Sequence, residues 1–197
     1  MLIANGLGFL SFLFLMWYKL KEDYHYEKIF NISFVIIFSI LVSLLLTNYF
    51  LNSYWFWILI TFVSVAFFIS TNIFKMKPLE TFNSTVISLL PSFALYLLSK
   101  SILDLSLTYF IGFWIVALLI FTYFFLEANY RKFTWYKSGR VGFSGLIVAI
   151  LFFTTRSIAS FLYPSGPTFI GMTDLYISAS FSFIFFLLLL NLSRNTN

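Results

Sequence analysis

The sequence predicts an all-α bundle of membrane-spanning helices, on three observations. Of its 197 residues 61% are hydrophobic and only 10% charged, against about 25% charged in soluble domains, so the chain cannot cover a water-facing surface. Apolar stretches recur along its whole length, at 2–18, 29–50, 55–74, 79–103, 109–127, 141–163 and 175–193. Each matches the roughly 17–25 residues that cross a hydrocarbon core about 30 Å thick. The lysines and arginines fall between these stretches instead of gathering in one patch, so the net charge of +5 points to loops at a membrane surface and not to nucleic acid. No extramembrane segment is long enough for a second domain, and residues 1–197 read as one transmembrane domain.

Each element follows in order. The first stretch has no basic residue before Lys19, so it lacks the charged front of a secretory signal and reads as a retained span. A loop with Lys19, Lys21 and Lys28 follows. The second and third stretches are rich in Phe, Ile and Val, which favour strands in water. In lipid the backbone must satisfy its own hydrogen bonds, so runs this long are helices; barrel strands are about half as long and alternate polar with apolar. The connection near Asn52 carries no basic residue, whereas Lys75 and Lys77 follow the third span. The fourth contains Pro91 between Ser88 and Ser92, a kink of a common kind in membrane helices. Glu127 closes the fifth span four residues before Arg131, the spacing of a helix-end ion pair. Arg131, Lys132, Lys137 and Arg140 then lead to the sixth span, the uncharged stretch Ser165–Thr173 to the seventh, and Arg194 follows. Ten of the twelve basic residues thus share one side, which sets the N-terminus outside and the C-terminus in the cytoplasm of a bacterial-type plasma membrane. Trp17, Tyr18, Trp55, Trp57, Tyr109, Trp135, Tyr136 and Tyr163 stand near span ends, where aromatic residues anchor at the interface.

The composition excludes much chemistry. Without cysteine there is no disulfide, thiol nucleophile or S-acylation. No phosphate loop, nucleophile elbow or zinc signature occurs. His25, the one histidine, lies among Glu22, Asp23 and Glu27 as a solvated loop residue. Neither a metal nor a cofactor is expected.

The two basic residues off the charged side are Lys100 and Arg156. At 100° per residue Gly142, Gly145, Ala149, Arg156, Ser160 and Tyr163 form one stripe of the sixth helix, and its small residues admit a close neighbour. The arginine therefore points into the bundle, roughly 22 Å from the cytoplasmic start of the span at 1.5 Å per residue. A charge at membrane depth costs about 3 kcal/mol on insertion scales and is rarely idle. Two roles remain open. Arg156 pairs with Asp174 or Asp104 and locks the bundle, or its planar fork holds a lipid phosphate, with Lys100 at the same outer level. Lys100 and Asp104, four apart, also suit each other.

The order of short motifs resembles that of bacterial prolipoprotein diacylglyceryl transferases. Lys137-Ser-Gly-Arg-Val141 leads into the helix with Thr154-Thr155-Arg156, and Gly171-Met172-Thr173 precedes the last span, as R-P-G-Q, G-R-F and G-L-T do in that family. Gly6-Leu7 and Lys77-Pro78-Leu79-Glu80 also have counterparts there. The resemblance implies a seven-span fold, phosphatidylglycerol-like lipid as ligand, prolipoproteins or another membrane protein as partners, and a headgroup site of Arg156, Lys100 and Ser160. The family's His-Gly-Gly position reads Tyr54-Trp-Phe-Trp-Ile-Leu59 here, its R-I-G-N position Leu97-Leu-Ser-Lys-Ser-Ile102, and its glutamate Ser160. Transfer needs a base and electrophilic support for the departing phosphate, so lipid contact without the family's usual transfer is expected. A structural or partner-binding subunit is the rival reading. A small transporter comes third, since paired intramembrane acids and broken helices in two halves are not apparent.

Overall fold

A computed structural model describes residues 2–50, 54–133, 142–164, 166 and 168–194, with backbone alone for 2–5, 50 and 131. Asn52, Trp135, Tyr136, the motif Lys137–Val141 and Ser165 lie outside the described residues. Among the described residues seven α-helices follow one another: α1 (Leu2–Leu20), α2 (Tyr26–Phe50), α3 (Trp55–Phe74), α4 (Pro78–Leu103), α5 (Leu107–Asn129), α6 (Phe143–Leu162) and α7 (Met172–Arg194). Among the described residues six of them, α2 to α7, are long and apolar enough to cross a membrane.

The helices end where backbone chemistry changes. Lys75 closes α3 in the left-handed conformation, its N–H bonded to the Thr71 carbonyl, and Pro78 opens α4 at the position where its missing N–H costs nothing. Leu105, also left-handed at φ 46°, turns the chain from α4 to α5 and is 90% exposed. The last helix starts at Met172, three residues before the apolar run does, because Gly171 at φ 66° supplies the turn into it.

α4 is the hub, packed against α1, α3, α5 and α6; α2 lies on α1 and α3, and α7 lies on α6. The predicted small stripe of α6 faces α4. The Gly145 N–H donates to Asn83 Oδ1 at 2.7 Å, so an α4 side chain satisfies a backbone donor in the first turn of α6. Tyr163 departs from that stripe: it follows the last helical residue and is half exposed.

Outward-facing aromatics such as Phe34, Phe38, Phe68 and Phe121 are 59–69% exposed. In water they would form aggregation-prone patches; in lipid they need no cover.

At one end of the bundle the α1–α2 and α3–α4 turns are clasped together. Tyr24 Oη donates to Glu80 Oε2 at 2.7 Å and accepts from the Lys77 backbone N–H at 3.0 Å. Burial pushes the Tyr24 phenol above its ordinary value. Lys19 belongs to the last turn of α1, not to a loop, and its nearly buried ammonium meets Glu127 of α5 at 3.3 Å. Glu127 thus bonds across the bundle, while the Arg131 side chain lies outside the described residues.

Candidate functional site

Arg156 stands two turns before the end of α6, and Asp174 in the first turn of α7. The short connection folds back so that the two meet. Arg156 Nε donates to Asp174 Oδ1 and Nη2 to Oδ2, both at 3.1 Å. Nη2 also donates to the Thr168 carbonyl. The carboxylate is fully buried and engages both oxygens further: Oδ1 accepts from Trp57 Nε1 at 3.2 Å, and Oδ2 from the Ile170 N–H at 2.8 Å. Both oxygens of the buried carboxylate are thereby satisfied. The guanidinium lies over aromatic rings, its Cζ 3.6 Å from the centre of Phe56 and 4.9 Å from that of Phe169. Such stacking suits Arg, a planar and weakly hydrated cation.

Beside this pair lies a cavity of about 420 Å³ between α4, α5 and α6. Phe93 and Leu97, Gly112 and Val116, and Phe152 and Ala159 supply its apolar walls, with Phe169 from the connection before α7. These positions belong to the C-terminal part of α4, the N-terminal part of α5 and the C-terminal part of α6, so the chamber sits at the end opposite the Tyr24–Glu80 clasp. Its size and apolar lining are those of small-molecule pockets. Among the described residues Arg156 is the one charged lining residue, with no histidine, carboxylate or lysine beside it. The Thr155 hydroxyl, also in the wall, is committed to the Leu151 and Phe152 carbonyls at 2.8 and 2.9 Å.

The residues named from sequence separate here. Asp174 bonds Arg156, whereas Asp104 pairs with Lys100 at 3.6 Å. Lys100 does not line the chamber. Ser160 is buried, donates to the Ser157 carbonyl at 3.0 Å and does not line it either. The Trp57 indole N–H, placed by sequence near a span end, is spent on Asp174. The contributions of Phe56, Trp57, Phe169 and the Thr168 carbonyl carry no signal in sequence: Trp57 and Asp174 are 117 residues apart. His25 is an exposed loop residue 4.0 Å from Glu27.

No family model, no curated protein and no solved structure matches the chain.

Proposed function

We propose that this chain is a glycerophospholipid-binding membrane protein, a diverged relative of prolipoprotein diacylglyceryl transferases that keeps a lipid site without the family's transfer chemistry. In this reading all seven helices span the membrane, the N-terminus is outside and the chamber opens at the outer leaflet. The observation that carries it is the position of Arg156 in the wall of an otherwise apolar chamber of about 420 Å³. The order of short motifs supports the kinship. Among the described residues the chamber has no base to activate a thiol, which supports binding over transfer.

A second reading has an observation of its own. The Arg156–Asp174 pair is bidentate and buried, as a structural lock in a partner-binding subunit would be. The two separate in experiment. The protein is purified in mild detergent and its bound lipid measured by native mass spectrometry, for wild type and for Gly112→Phe, which fills the chamber and leaves the ion pair untouched. Lipid binding expects saturable glycerophospholipid in the wild type and its loss in Gly112→Phe at equal folded yield. Equal lipid content in both chains leaves only the structural reading. Expression in cells depleted of their own transferase is expected to restore no prolipoprotein modification.

A further inference from the structure

The charges around the chamber cancel. Arg156 faces Asp174 inside the bundle, and Lys100 faces Asp104 farther along α4. No other charged residue among those described lines the cavity. An anionic phosphate entering it would leave water for an apolar space with no net positive charge to receive it, which is among the costliest transfers in a protein. Arg156 still has something to offer. Nε and Nη2 are spent on Asp174 and the Thr168 carbonyl. Nη1 has no hydrogen-bond partner among the described residues, nor does it belong to the polar atoms that are sealed off without one. Phe56 and Phe169 stand close to the guanidinium carbon, and Nη1 is the group left for a ligand.

From this geometry we infer that Arg156 reads a neutral ester carbonyl of a glycerolipid, not its phosphate. This deepens the proposed lipid site and rests on it. The two N–H groups of Nη1 present donors in the guanidinium plane. A carbonyl oxygen accepts them without bringing charge into the chamber, and the acyl chain attached to that carbonyl continues into the apolar walls. The headgroup stays outside, where water solvates it. Asp174 then sets specificity: by holding the arginine's charge it turns an anion site into a carbonyl site.

Three consequences follow for binding by the full-length protein in detergent, titrated with lipids of identical chain length and read by native mass spectrometry. Diacyl phosphatidylglycerol, diacyl phosphatidylethanolamine and diacylglycerol bind alike, because the headgroup is not read. Ether-linked analogues, which lack the carbonyl, bind about fivefold more weakly, the worth of one ordinary hydrogen bond. In Asp174→Asn, which keeps an acceptor oxygen for Arg156 but frees its charge, phosphatidylglycerol gains at least about tenfold over phosphatidylethanolamine. Equal binding of ester and ether lipids by the wild type, or a wild-type preference for phosphatidylglycerol, overturns the inference and leaves the lipid site standing. An Asp174→Asn chain that folds and still ignores the headgroup overturns it too. If no lipid binds saturably and Gly112→Phe changes nothing, the lipid site itself falls and the inference with it.

Discussion

Arg156 and Asp174 form a unit in which each is tolerable only because of the other. Removing one partner of a buried pair leaves an uncompensated charge and costs about 3–5 kcal/mol, whereas removing both leaves none. Arg156→Ala is therefore expected to lower the thermal unfolding midpoint sharply in detergent, and Arg156→Ala/Asp174→Ala to recover much of that loss. Additive losses would mean that the two side chains are not coupled. Arg156→Lys is expected to rescue little, since an ammonium cannot reproduce a bond through Nε and Nη2. From sequence the arginine was legible as inward-facing and its partner as one of two aspartates. Its Phe56, Trp57 and Phe169 surroundings were not, because an aromatic run near a span end looks the same whether it faces an interface or a cation.

Among elements, the helices themselves were legible nearly to the residue: the apolar runs at 55–74 and 79–103 correspond to α3 at Trp55–Phe74 and α4 at Pro78–Leu103. Lipid leaves a long apolar run no alternative to helix. Which helix touches which was not legible, since pairing depends on close approaches that composition only hints at. The α4–α6 contact shows why. A Cβ added to Gly145 would lie 2.7 Å from Asn83 Oδ1 and 2.8 Å from Asn83 Cα, and the second of these is backbone that cannot swing aside. Gly145→Ala is expected to destabilise the fold by about 1–3 kcal/mol, the usual cost of overpacking. Asn83→Ala removes the bond to the Gly145 N–H without the clash and is expected to cost about 1 kcal/mol. Both are read as shifts in thermal unfolding, and the reverse order would contradict the close approach.

For the whole molecule, the orientation drawn from loop charge is testable with a single thiol, because the chain has no cysteine. The connection before α7 is a poor place for it: Gly166 is buried, and a Cβ there would come within 2.6 Å of the Phe169 ring. Leu105, 90% exposed at the opposite-end turn from the Tyr24 clasp, is better. Leu105→Cys is expected to react with a membrane-impermeant maleimide in intact cells, while a reporter fused after Arg194 stays cytoplasmic. A silent Leu105→Cys that labels only after lysis would reverse the orientation.

The distance between Arg156 and Asp174 along the chain also bears on how the protein is made. The arginine leaves the ribosome 18 residues before its counter-charge, about one to four seconds at common elongation rates. During that interval α6 holds an unneutralised cation that membrane insertion disfavours by about 3 kcal/mol. The last two helices should therefore enter the bilayer as a hairpin, with α6 held at the translocon until α7 arrives. A nascent chain arrested after Thr168 is expected to integrate α6 less completely than one extended through Arg194, and Arg156→Leu should abolish the difference. Glycosylation acceptors engineered into the flanking segments would score both. Equal integration of the short and long chains would show that α6 enters unaided.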